Sequence, residues 1–335
     1  MHDLTARAPV RLLACDGAES FATSVAGALQ LPLVPTQDSW FSCGEGKFVI
    51  DENVRGGDCY VFQSPIVPGA ERSVYDRFVM LLHAVEATAL ADAQEVTAVV
   101  PYFPGARQDK RKGRVREGIS AGLFARCLQE AGATRVITVE VHNEAIAGMF
   151  APWRCRLENL YLHYLMCPWL CERGLVGDTV VAPDVGGMER ARRYGEVLES
   201  HLAALSKERD YSTVNRVVRS TLIGEVAGHD VLLVDDIIDT AGSVVAAVDE
   251  LKAGKARSVT VACAHAVFSE PALERLSGVA DRAQREGWRF TVVGSSSIRQ
   301  VDPPPWYVEF PIEGLIARVI ERNNHRLSVT GAQER

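Results

Sequence analysis

A chain of 335 residues is long for one hydrophobic core and suits two domains of about 150 residues each. Its 47% hydrophobic and 24% charged content is that of an ordinary globular protein, and no apolar run approaches the roughly 18 residues of a membrane helix. A net charge of −7 argues against general nucleic-acid binding.

The chain alternates β-rich runs with amphipathic helical ones. Residues 10–15 (VRLLAC) read as a strand, and so do 58–63 (DCYVFQ). In 73–93, Val74, Phe78, Leu81, Val85 and Ala89 recur at helical spacing and predict one buried face. EVTAVVPYF (95–103) is a strand, 119–133 a helix ending near a glycine, and RVITVEVH (135–142) the next strand. Residues 151–160 read as a domain boundary. The same alternation follows in TVVAPD (179–184), DVLLVDD (230–236), the helical run 243–256, SVTVACAHAV (258–267) and FTVVGS (290–295). Residues 206–220 are polar without an apolar period and read as an exposed loop or hairpin. The tail, WYVEF followed by the helical run 313–327, is able to pack on either domain.

Continuous apolar strands alternating with helices predict an α/β fold, with parallel sheets covered on both faces. Two similar α/β domains are expected, 8–155 and 156–304, with 306–327 returning to the first. The N-terminus lacks a basic segment followed by an apolar one, so no secretory signal is expected. The eight cysteines are scattered, with no paired CxxC motifs; free thiols in a cytoplasmic setting are expected.

The densest chemistry lies in Val231–Ser243. A strand ends in Asp235 and Asp236, then a turn of Asp239, Thr240, Ala241, Gly242 and Ser243 opens a helix. Small residues free backbone N–H groups at a helix N-terminus, which together cradle a phosphate. The two carboxylates suit sugar hydroxyls. A plain helix cap by Asp239 or Thr240 would require neither the acidic pair nor the Ala-Gly pair. After the strand at 95–103, five of the seven positions Lys110–Arg116 are basic, with Arg107 just before them. Such a run is often only a solvated loop, but the end of a parallel strand is where ligands sit in open α/β sheets. His142 ends a strand, and a lone histidine is usually a packed or hydrogen-bonded residue. Asp184 ends another before Gly186 and Gly187; the glycines ease a bend, and the carboxylate is a possible Mg²⁺ ligand.

Six words together resemble the ribose-phosphate diphosphokinase (PRPP synthetase) family: GEGKFVIDENVRGGDCYVFQ, VVPYFPGARQDKR, ITVEVHNEAIAGMF, VVAPDVGG, ALSKER and VLLVDDIIDTAGS. The resemblance implies two tandem type I phosphoribosyltransferase-like domains. It implies transfer of the diphosphoryl group of MgATP to the 1-hydroxyl of ribose 5-phosphate, giving PRPP and AMP. ATP would be contacted by Phe41, Cys43, Glu45, Arg107, Gln108 and Asp109; Cys43 stands where the family commonly has aspartate. Ribose 5-phosphate would be held by Asp235, Asp236 and Asp239–Ser243. His142 and Asp184 would bind Mg²⁺, partly through water. Lys207 and Arg209 would be catalytic. A homo-oligomer is implied, dimer-based and hexameric in the family, with no nucleic-acid or membrane partner. Two other functions share the Asp239–Ser243 loop: a phosphoribosyltransferase that consumes PRPP, and a non-catalytic subunit associated with the synthetase.

Overall fold

The structure is a computed structural model that describes residues 6–111, 113, 115–209 and 217–333. It divides into two compact units. The first comprises the chain through Tyr161 together with Ser296–Ile298 and the chain from Pro311 onward; the second comprises Leu162–Ser295 and Arg299–Phe310.

The first unit begins with β1 (Val10–Ala14), α1 (Glu19–Leu29), β2 (Thr36–Trp40), β3 (Gly46–Ile50) and β4 (Asp58–Phe62). It continues with α2 (Val74–Leu90), β5 (Glu95–Val99), α3 (Ser120–Glu130), β6 (Arg135–Val139) and β7 (Arg156–Leu160). Its parallel sheet has the order β1-β4-β5-β6-β7. Helix α2 starts at a capping box, in which the Ser73 hydroxyl accepts from the Asp76 N–H and the Asp76 carboxylate from the Ser73 N–H. The face expected from spacing is buried at Phe78, Leu81 and Val85, each contributing about 1.5–3 kcal/mol by leaving water. Phe78 stacks on Phe124 of α3 with ring centroids 4.2 Å apart.

The second unit contains α4 (His163–Glu172), β8 (Thr179–Ala182), α5 (Met188–Leu198), β9 (His201–Arg209), β10 (Val217–Ile223) and β11 (Asp230–Ile238). There follow α6 (Gly242–Ala253), β12 (Ser258–Ala266), α7 (Ala272–Glu286), β13 (Phe290–Ser295) and β14 (Tyr307–Phe310). Its sheet has the order β10-β9-β8-β11-β12-β13-β14. Among its described residues, only the β9–β10 pairing is antiparallel. The core lies between sheet and helices, with Val231, Leu233, Val244, Val248, Leu251 and Val261 buried in one cluster.

Several elements depart from the reading of the sequence. Strands β2 and β3 form a hairpin of their own that reads as polar; it is anchored by Phe48, which is buried in the first unit's core. Strand β7 lies inside the expected boundary stretch and pairs with β6. The polar stretch 206–220, by contrast, bears out the hairpin alternative of that reading, since Lys207 pairs with Ser220 and Arg209 with Val217. A ladder that starts from the buried Ala203–Leu205 extends through backbone hydrogen bonds, which polar side chains do not interrupt. The tail divides between the units. Strand β14 completes the second sheet, while α8 (Glu313–Asn324) and α9 (Thr330–Gln333) belong to the first unit. Helix α8 packs on α1 and buries Leu315, Ile316, Val319 and Ile320. Among the described residues, no helix is long and apolar enough to cross a membrane.

Candidate functional site

In the second unit the chain leaves β8 toward β9 on one side and leaves β11 toward β12 on the other. The crevice at the C-terminal ends of β8 and β11 is therefore a topological switch point, the usual ligand position in an open α/β sheet. Asp184 follows β8, and Asp235, Asp236 and the Asp239–Ser243 turn finish β11, so the order of strands brings these residues to the same end of neighbouring strands.

The turn is not a side-chain-capped helix start. Its N-cap residue is Ala241, which has no side-chain acceptor and adopts the left-handed conformation at φ 59°. For a residue with a Cβ this conformation costs on the order of 1–2 kcal/mol, so the surrounding structure must hold it. Ala241 is buried at 4% exposure, and its carbonyl accepts from the Val245 N–H at 3.0 Å. Thr240, Gly242 and Ser243 are exposed. The first N–H groups of α6 have no intrahelical carbonyl to bind. An exposed turn of small residues opening a helix is the geometry of an anion site.

Before the turn, the Asp236 N–H donates to the Asp235 carboxylate at 2.9 Å. Burial, and next the neighbouring Asp236, raise the Asp235 carboxyl well above the ordinary carboxylate range. Arg190 of α5 opposes this, with Nη1 at 3.8 Å from Asp235 and 3.6 Å from Asp236. The Asp184 carboxylate accepts from the Gly187 N–H at 3.0 Å and caps the short turn that leads into α5. One turn of α5 thus carries Arg190 from the Asp184 loop to the acidic pair. Arg275 of α7 also reaches the turn, donating to the Thr240 carbonyl at 2.9 Å. Both arginines escape a reading of the sequence. Arg190 follows the Gly186-Gly187 pair closely enough to be noticed, but Arg275 is 35 residues from its partner.

In the first unit, Arg107, Gln108 and Asp109 lie in the connection after β5, and His142 in the one after β6. Gln108 is tied to the start of α3. Its side-chain oxygen accepts from the Ser120 hydroxyl at 2.6 Å, and its carbonyl accepts from the Ala121 N–H at 3.3 Å. The Asp109 carboxylate accepts a hydrogen bond from the Asn143 amide. Asn143 also accepts from the Ala145 N–H at 3.0 Å. The basic turn and the His142 loop are thereby linked through Asn143, which a sequence reading passes over beside the histidine. Arg107, Gln108 and His142 are exposed, as are Lys110, Arg111 and Arg116. Lys112 and Arg114 of the basic run lie outside the described residues.

Phe41, Cys43 and Glu45 occupy the tip of the β2–β3 hairpin, where the Phe41 N–H donates to the Glu45 carbonyl at 2.9 Å. All three are exposed, Phe41 at 55%. Lys207 and Arg209 lie on β9 rather than in a loop. Residues 210–216 between the two arms are outside the described residues. Among the described residues, no group of three or more His, Cys, Asp or Glu is placed to hold a metal ion.

Residues 10–132 match the N-terminal domain of ribose phosphate pyrophosphokinase, and residues 174–308 match the phosphoribosyl transferase domain. A ribose-phosphate pyrophosphokinase of Corynebacterium efficiens is 34% identical over 319 residues, covering 92% of this chain and 91% of its own. One from Campylobacter jejuni is 35% identical over 310 residues, covering 92% and 94%. The crystal structure of phosphoribosylpyrophosphate synthetase from Mycobacterium smegmatis is similar with a TM-score of 0.83 and 29% identity, covering 95% of this chain and 99% of that one. The chain belongs to the ribose-phosphate pyrophosphokinase family.

Proposed function

We propose that this protein transfers the diphosphoryl group of ATP to the 1-hydroxyl of ribose 5-phosphate, producing PRPP and AMP. The observation that carries the reading is the cluster at the β8–β11 switch point: an acidic pair, a turn of small residues at a helix N-terminus, and Asp184 beside them. The turn Asp239–Ser243 binds the 5-phosphate through backbone N–H groups, and Asp235 and Asp236 accept hydrogen bonds from the ribose hydroxyls. Arg107, Gln108 and Asp109 in the first unit bind the nucleotide, with the hairpin tip of Phe41, Cys43 and Glu45 contributing to its recognition.

In the reaction, the bond from ribose O1 to the β-phosphorus forms while the bond from that phosphorus to its bridge to AMP breaks. The bridging oxygen leaves on AMP with the electron pair, and the hydroxyl proton passes to solvent. Catalysis of this kind consists mainly of positioning and of positive charge facing the transferring group. Lys207 and Arg209 supply such charge from the β9–β10 hairpin. The donor set fits Mg²⁺. Asp184 offers a hard carboxylate oxygen, and an ion with few protein ligands completes its shell with water and substrate phosphates. His142 fits as a partner to an ion-bound water. When bound, the ion neutralises charge on the polyphosphate.

The two other readings are disfavoured by relatives that carry the pyrophosphokinase name and match over more than nine-tenths of the chain. The deciding assay is AMP release. AMP should form only when ATP, Mg²⁺ and ribose 5-phosphate are all present. Consumption of PRPP with a nucleobase, or no turnover at all, would overturn the reading.

A further inference from the structure

One side chain outside the expected motifs acts on the conformation of the phosphate turn. Arg275 stands in the first turn of α7, and its Nη1 donates to the Thr240 carbonyl at 2.9 Å. The same nitrogen lies 3.3 Å from where a Cβ on Gly242 would stand, so the guanidinium rests directly against the turn. A trans peptide is planar, with its carbonyl and the following N–H on opposite sides. Drawing the Thr240 carbonyl toward α7 therefore turns the Ala241 N–H away from α7. The next residue, Ala241, is held at φ 59°, a conformation that persists only where neighbouring contacts enforce it. Rotation of the Thr240–Ala241 peptide by a half-turn would present a carbonyl oxygen, not an N–H, to an arriving anion.

We propose that Arg275 is a positioning residue for ribose 5-phosphate. It fixes the Thr240–Ala241 peptide with the carbonyl toward α7, so that the turn offers N–H groups to the 5-phosphate. The proposal rests on the reading of Asp239–Ser243 as the 5-phosphate site. The Nη1 donor is engaged with the backbone carbonyl on the rim of the turn, so this contact acts on the substrate through the turn itself. Arg275 is exposed, and its removal leaves the core intact.

The test compares the full-length wild type with Arg275→Ala, Arg275→Lys and Gly242→Val, measuring kcat, both KM values and the melting temperature. Arg275→Ala should raise the KM for ribose 5-phosphate about tenfold, the worth of one hydrogen bond to a charged group. Its kcat, its KM for ATP and its melting temperature should stay close to wild type. Arg275→Lys, which retains a charged donor, should recover much of the loss. An unchanged ribose 5-phosphate KM in Arg275→Ala, with a raised one in Gly242→Val, refutes the role of Arg275 and leaves the site where it is. If neither variant moves that KM, the turn is not the 5-phosphate site and both readings fall. A rise in both KM values together with a lower melting temperature would mark a purely structural role and overturn the proposal.

Discussion

The Asn143 side-chain amide donates to the Asp109 carboxylate across the gap between two successive strand-end loops. Asp109 closes the Arg107–Asp109 turn and Asn143 follows His142, so one hydrogen bond sets the spacing of the segment proposed to bind the nucleotide and the histidine-bearing segment. Asn143 also supplies the acceptor that starts the short helical turn after it.

Asn143→Ala should therefore loosen the ATP side alone. The variant removes both Asn143 bonds; the one to the carboxylate alone is worth about 1.5–3 kcal/mol, which corresponds to an ATP KM raised roughly tenfold or more. The KM for ribose 5-phosphate should be unaltered. Steady-state kinetics with each substrate varied in turn decides this, and equal changes in both would show that the link serves general stability instead.

A second prediction concerns the tail. Asn324 donates to the Asp58 carboxylate and to the Ala8 carbonyl, each at 2.9 Å, and Asn323 donates to the Tyr60 hydroxyl at 2.8 Å. Asp58 is fully buried, and burial raises its carboxyl above the ordinary range despite the Asn324 and Tyr60 hydrogen bonds. Asn324→Ala removes one of the two donors to the buried Asp58 carboxylate and the side-chain donor to the Ala8 carbonyl, at a cost of about 1–3 kcal/mol. Chemical denaturation should show a lower midpoint. An unchanged midpoint would mean that apolar contacts alone attach α8.

The third concerns pH. Asp38 accepts from the Asp16 N–H at 2.9 Å, yet burial lifts its carboxyl from 3.8 to about 6. The unfolded chain releases this proton first, so the contribution to stability is full below pH 3.8 and is lost as pH rises to about 6. Asp38→Asn keeps a hydrogen-bond acceptor and removes the titration. The melting temperature of the wild type should fall relative to this variant between those limits. Parallel curves would show that Asp38 titrates normally.

The last concerns Lys207. A cation that meets the transferring group mainly as charge builds lowers kcat, not affinity, when it is removed. Lys207→Ala should lose on the order of 10²–10³ in kcat, with both KM values and the melting temperature little changed. Arg209→Ala should behave alike, and the double variant should lose less than the product. Near-normal turnover in Lys207→Ala would shift the burden to the basic run Lys110–Arg116.

Local pattern alone determined much of this protein. Helix α2 was legible because its apolar spacing is contiguous in the chain. The exposed turn at Asp239–Ser243 was legible because small residues next to an acidic pair announce exposed backbone. The β2–β3 hairpin and β7 were not legible, since their strand character comes from pairing and from docking on a core built elsewhere. The β9–β10 arms were legible only as a loop or hairpin, because a ladder is satisfied between strands and leaves no mark in side-chain polarity. The reach of Arg190 and Arg275 to the site, and the division of the tail between two units, belonged wholly to the tertiary structure. Long-range contacts form when packing brings distant segments together, and no periodicity within either segment encodes the partner.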